Sequence, residues 1–278
     1  MQEITKEILL KAKRDVFSSN MGSHLTPFKG EGIDFDEIKE YNIGDDIRKI
    51  NWNATAKSAD GTLQINQFND ERELNIIIAF MVSGNIYFGS VELKQYIMAY
   101  IVALLGYSAV KNNDRYQTIF FDENVAKEYT PTRSSGVLED IVDYAVELNP
   151  LQKNISWEQF CYYINSLKKR SLIFIIGDFL EDNINLSTIT AKNEVYALIV
   201  RDKLEEDISK LKGEFDLIDP MSLQTVNQTI NSGVTGNYKA LLKQHDDILF
   251  EHFINYKIKY TKIYTDDDIF LKLTSIFR

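Results

Sequence analysis

Residues 30–57 read GEGIDFDEIKEYNIGDDIRKINWNATAK, a stretch crowded with groups that chemistry can use. Glu31, Asp34, Asp36, Glu37, Glu40, Asp45 and Asp46 supply carboxylates, and Arg48 a guanidinium. Two readings are open. Paired carboxylates can hold divalent ions and activate water, which would make the 31–48 segment the centre of a carboxylate-metal hydrolase. Alternatively, Asp45 or Asp46 pairs with the planar fork of Arg48 and caps backbone amides, fixing a loop. Counting from Asp34, no glycine stands at the sixth position that a calcium loop needs. No histidine lies between His24 and His245, so imidazole ligands are not at hand locally. Gly30, Gly32 and Gly44 suit turns with positive φ or close backbone approach. Tyr41 and Trp52 pair an apolar body with a polar tip, as expected of anchors in a seam. The whole stretch reads as a polar-surfaced loop and turn system.

The elements that must carry this segment alternate between two periodicities. Residues 3–18 place Ile4, Ile8, Leu9, Ala12 and Val16 at helical spacing, which predicts an amphipathic helix. Breakers over 19–27 predict a loop, and a short strand follows at 62–68. LNIIIAFMV over 74–82 is a continuous apolar run, the pattern of a central parallel strand covered on both faces. Strands at 116–121, 171–176, 195–200 and 258–264 then alternate with helices at 91–110, 135–148, 157–169, 238–255 and 266–277. Short edge strands are expected at 215–218 and 225–230. This alternation predicts an α/β fold with a mostly parallel central sheet and right-handed crossovers. The expected division is an N-terminal helix and signature extension, 1–73, packed on a main domain, 74–278.

Composition narrows the function classes. The 278 residues are 44% hydrophobic, ample for a buried core. A single cysteine, Cys161, excludes an intramolecular disulfide and a cysteine-based zinc site. Set among Trp157, Phe160, Tyr162 and Ile164, it reads as buried and inert. His245 and His252 lie seven residues apart on one helix face and read as surface groups. Net charge is −10, with 31 basic against 41 acidic residues, which disfavours nucleic acid and anionic lipid and favours a basic protein partner or a cation. The longest largely apolar stretch, 96–110, falls short of the ~20 residues of a membrane span. The first residues mix charge with apolar positions, so no signal segment or membrane insertion is expected, and the expected location is cytoplasmic. Neither a phosphate loop nor a dinucleotide fingerprint occurs, so ATP hydrolysis by this chain is not expected.

The spacing G-x-G-x-x-F, a tyrosine, then G-D-D-x-R-x-I-x-W and a small residue before a base is met by Gly30, Gly32, Phe35, Tyr41, Gly44, Asp45, Asp46, Arg48, Ile50, Trp52, Ala56 and Lys57. Phe68 and Glu71-Arg72-Glu73 continue it. The pattern resembles the bacterial domain of unknown function 58 family. The resemblance implies a von Willebrand factor A-like domain preceded by this signature, working beside a MoxR-type AAA+ ATPase as a non-catalytic adaptor in complex assembly or metal-cofactor maturation.

That resemblance also directs attention to the end of the 74–82 strand. Proteins of the von Willebrand A type place D-x-S-x-S there to hold Mg²⁺. Here Met81 takes the place of the aspartate, Ser83 is kept, and Asn85 replaces the second serine. Asp178, directly after the 171–176 strand, keeps a later acidic position. A thioether is a poor ligand for a hard cation, so no metal is expected. Ser83, Asn85 and Asp178 remain as a degenerate adhesion-like binding surface. Thr130 and Thr132 are candidates for a further hydroxyl.

Overall fold

The structure, a computed structural model, describes residues 2–18, 33–42, 44–58, 61–70 and 75–276. The chain forms two compact units, Met1–Pro27 together with Asn75–Arg278, and Phe28–Leu74. The first helix, grouped by sequence with the signature segment, therefore falls in the larger unit. Thr5, Ile8, Ala12 and Val16 line one face of this helix, α1 (Gln2–Ser18), and are buried.

The smaller unit holds β1 (Ile33–Glu40), a one-turn helix α2 (Trp52–Thr55) and β2 (Gln64–Asp70). β1 and β2 pair antiparallel, with Ile33 opposite Asp70 and Glu40 opposite Gln64. The loop-and-turn expectation for this segment is thus corrected at 33–40. A bulge between Phe35 and Glu37 inserts an extra residue, which breaks the period-two pattern that would mark a strand.

In the larger unit, β3 (Asn75–Met81) leads to the long helix α3 (Lys94–Lys111), then β4 (Arg115–Phe121) and β5 (Val125–Thr132). Helices α4 (Leu138–Glu147) and α5 (Trp157–Ser166) precede β6 (Leu172–Gly177). A short α6 (Ser187–Thr190), β7 (Glu194–Arg201) and α7 (Lys203–Glu206) follow. The chain continues through a hairpin of β8 (Gly213–Ile218) and β9 (Thr225–Ile230), then α8 (Ser232–Asn255), β10 (Lys259–Tyr264) and α9 (Ile269–Ile276).

The central sheet runs β10-β7-β6-β3-β4-β5, parallel throughout except for β5, which pairs antiparallel with β4 at one edge. β5 was not anticipated: its sequence, VAKEYTPT, is polar and largely exposed, and carries Pro131, which an edge strand tolerates. β8 and β9 pair with each other in a separate two-stranded sheet and are not edges of the main one.

Side chains alternate across the sheet and bury both faces. Ile77, Ala79, Met81, Ile173, Ile175 and Ala197 pack with Trp157 and Phe160 of α5 and Leu249 and Phe253 of α8. On the opposite face α3 packs against β3 and β4, with α1 and α4 laid over it. α3 is buried around nearly its whole circumference, which explains its lack of an amphipathic pattern. Among the described residues no helix is long and apolar enough to cross a membrane. The result is a mixed α/β, Rossmann-like architecture whose mostly parallel sheet is covered by helices.

Candidate functional site

The sheet delivers carboxylates to one edge. Asp122, Asp178 and Asp202 each come directly after the last residue of β4, β6 and β7. Parallel register brings those ends together, with Met81 opposite Phe121, and Phe80 opposite Ile176. Three such groups at one end would repel one another unless each were matched. Each is. Asp122 meets Lys153 Nζ at 3.0 Å. Asp202 accepts from the backbone and hydroxyl of Ser90, from Thr265 Oγ1 at 2.7 Å and from the Leu204 amide. Burial opposes the charge of Asp202, but these donors outweigh it and hold its carboxyl below the usual range.

Asp178 is matched by Lys94, the first residue of α3. Both side chains are fully buried, and Lys94 Nζ lies 3.2 Å from Asp178 Oδ2. Glu205 of α7 closes on the same ammonium, with Oε1 at 2.8 Å and Oε2 at 3.0 Å. Burial pushes the Glu205 carboxyl up, and Lys94 partly offsets this. The ring of Phe88 stands 5.9 Å above the ammonium, within reach of a cation–π contact. Removing a lysine from water costs several kcal/mol, so its place here requires those partners.

The other side of Asp178 is less well served. Its Oδ1, Ser83 Oγ, Trp157 Nε1 and both carboxylate oxygens of Glu181 are buried and make no full hydrogen bond. Burial, then the neighbouring Asp178 charge, pushes Glu181 up to about 7. The Trp157 indole and the Ser83 hydroxyl lie beside the Glu181 carboxylate and favour its charged form without offsetting those two effects. Glu181 was not singled out by sequence. Its signal was the ED pair that closes GDFLED, four residues after the strand.

Ser83 and Asp178, expected on a recognition surface, are therefore interior groups, and Asn85 is half-buried. One exposed part of this end is the loop between β3 and α3. Tyr87, Phe88 and Val91 are 52%, 39% and 73% exposed. The loop is tied down from beneath, because Ser90 donates to Asp202 and the Lys94 amide to the Phe88 carbonyl at 2.9 Å. Gly89 is needed for the turn: a Cβ there would sit 1.8 Å from the Glu92 carbonyl oxygen. Thr130 and Thr132 lie on β5, where Thr132 pairs with Tyr116 near the start of β4. Thr132 thus lies toward the amino end of the parallel strands, away from the carboxyl end that carries Ser83, and does not join it.

A second polar network braces the neighbouring loop. Arg201, fully buried, donates to the carbonyls of Asp178 and Phe179 and meets Asp246 at 3.3 Å. Asp246 also binds Lys262 at 2.7 Å. Burial opposes its charge, but His245, Lys262 and Arg201 together hold its carboxyl at about 2. His245 and His252, expected at the surface, both engage the chain after β6. His245 Nε2 lies 3.1 Å from the Glu181 carbonyl, and His252 Nε2 accepts from the Leu186 amide at 3.0 Å. Burial lowers the His252 pKa, keeping the neutral form that can accept. Cys161 is buried, and burial pushes its thiol pKa up.

In the smaller unit, Arg48 grips Asp46 in a two-point contact, Nε to Oδ1 at 3.0 Å and Nη2 to Oδ2 at 2.8 Å. Asp46 Oδ1 also accepts the Arg48 amide. Asp45 accepts from the Asn42 amide at 3.0 Å and from Lys39 at 3.3 Å, and those donors lower its pKa. Gly44 takes φ +112°, in the region that favours glycine. Tyr41 is half-buried and its amide donates to the Leu63 carbonyl. Trp52, expected as an anchor, is instead 68% exposed. Gly30, Gly32 and the side chains of Asp34, Asp36 and Glu37 lie outside the described residues.

The Mg²⁺ suggested by the resemblance finds a poor fit at the strand end. Met81 is fully buried in the core beneath the site. An oxygen of Asp178 already binds an ammonium. Among the described residues no three His, Cys, Asp or Glu side chains converge as a ligand set.

No curated protein matches the chain. Among solved structures, the conserved hypothetical protein BatB from Bacteroides thetaiotaomicron aligns with TM-score 0.45 and 11% identity over 73% of this chain and 96% of its own. An uncharacterized membrane spanning protein from Vibrio fischeri aligns with TM-score 0.23 and 9% identity over 72% of this chain and 94% of its own. The sequence family described as "Protein of unknown function DUF58" matches residues 37–247, and the chain belongs to that family.

Proposed function

We propose that the chain is a non-catalytic protein-interaction module, a von Willebrand factor A-like domain acting with a MoxR-type AAA+ ATPase in complex assembly or metal-cofactor maturation. The observation that carries the reading is the loop between β3 and α3. It presents Tyr87, Phe88 and Val91 to solvent at the carboxyl end of the sheet while Ser90 and Lys94 hold it from below. Exposed aromatic and aliphatic side chains on a braced loop suit a protein partner, since the contact surface is already ordered before binding. In this reading Ser83 and Asp178 support the surface from inside, and Asn85 stands at its margin. The net charge of −10 favours a partner with a basic face. Asp45 and Asp46 act as structural groups, each engaged by donors within its own unit.

The test is binding of the purified chain to a MoxR-type ATPase from the same genome, measured by calorimetry. The wild type should bind, and the combined Tyr87→Ser and Val91→Ser variant should not while keeping its melting temperature. Divalent-ion-dependent hydrolysis by the chain alone, abolished by Asp45→Asn with Asp46→Asn, would replace this reading with the hydrolase one.

A further inference from the structure

The end of the sheet carries a cation of its own. We infer that Lys94 supplies from within the chain the positive charge that a divalent ion would otherwise give the strand ends, so that the site is metal-free by construction and becomes a divalent-cation site when the ammonium is removed. How these carboxylates are held does not depend on whether a partner docks above them.

The geometry supports it in three respects. Lys94 Nζ is the point on which Asp178 Oδ2 and both oxygens of Glu205 converge, at 3.2, 2.8 and 3.0 Å. Those three contacts match the three protons of an ammonium, so its donor capacity is filled. The side chain is fully buried, which makes the ammonium a fixed part of the site that does not exchange with solvent ions. A small divalent ion bound by one or two carboxylates and completed by water needs the same convergence of oxygens. Asp178 Oδ1, the second oxygen of the carboxylate that meets the ammonium, is buried and has no full hydrogen bond, so it is free to serve as a further ligand. With the ammonium in place, a divalent ion would meet a like charge in a site of low dielectric, which opposes its binding.

Titration of the full chain with Mg²⁺ and Mn²⁺, with thermal melts in parallel, tests this in wild type and Lys94→Ala. The wild type should show no saturable binding, and its melting temperature should be the same in chelator and in excess Mn²⁺. Lys94→Ala should melt lower in chelator and regain part of the loss as Mn²⁺ is added, because an ion that binds only the folded state stabilises it. Asp178→Asn in the Lys94→Ala background should remove that gain. If Lys94→Ala does not fold, Lys94→Ala with Glu205→Gln, which leaves one carboxylate unpaired instead of two, carries the same titration. Saturable wild-type binding that is lost in Asp178→Asn would overturn the inference. So would the absence of any Mn²⁺-dependent gain in both ammonium-free variants.

Discussion

Lys94 Nζ lies 3.2 Å from Asp178 Oδ2, joining the first residue of α3 to the first residue beyond β6, with neither side chain exposed. The pair crosses from one covering helix to the middle of the sheet and draws in Glu205 from α7. Three segments far apart in sequence are thereby fixed around one charge.

Breaking that pair by one side should be costly. Lys94→Met leaves two carboxylates facing each other in the interior, and a loss of about 3–5 kcal/mol is expected in chemical denaturation. Asp178→Asn should cost less, since Glu205 still holds the ammonium. The double variant should lose less than the sum of the two, with a coupling of up to about 3 kcal/mol. Additive losses would show that the two groups are energetically independent.

Glu181 should make stability fall as pH rises. Its folded pKa of about 7 lies above the ordinary value of 4.5, so between these limits the folded chain holds a proton that the unfolded chain has released. Stability is then full below the ordinary value and is lost progressively toward neutral pH, by at most about 3 kcal/mol. Glu181→Gln should raise the melting temperature at pH 8 and leave it nearly unchanged at pH 4.5. An equal effect at both pH values would contradict the assignment.

His252 acts with the opposite sign. Its pKa is lowered by burial, so the unfolded chain takes up a proton first as pH falls below the ordinary value of 6.5. The folded state loses stability in that window, and the Leu186 amide loses its acceptor once the ring is protonated. The protection factor of the Leu186 amide, taken relative to the intrinsic exchange rate at each pH, should fall on acidification, and His252→Ala should show the low protection at every pH, at a cost of about 1–3 kcal/mol. Unchanged protection in His252→Ala would show that the bond does not hold the loop.

Gly89→Ala should act on the surface more than on the fold. The added Cβ would strike the Glu92 carbonyl, so the turn over 88–92 must open and Tyr87 and Phe88 must shift. The expected cost in stability is about 1–3 kcal/mol. Binding of the proposed ATPase partner should weaken disproportionately, because the braced arrangement is lost. A destabilised variant that binds as well as wild type would remove this turn from the proposed contact surface.

What could be read from residue order was local. The apolar runs before Ser83 and Asp178 announced buried parallel strands, and their ends announced where polar groups would gather, because strand periodicity and burial are properties of short segments. The Asp46–Arg48 contact was legible for the same reason, since its partners are two residues apart. β1 escaped because its bulge breaks the alternation, and β5 because an edge strand needs little apolar character. The pairing of Lys94 with Asp178 and Glu205, and of Ser90 with Asp202, spans 84 to 112 positions. No spacing rule encodes such contacts. They exist because parallel pairing sets β3, β6 and β7 side by side and returns helices over their ends. Tertiary structure alone therefore decided that Ser83 and Asp178 are interior, that Trp52 is exposed, and that the charge at the sheet's edge is balanced by a lysine.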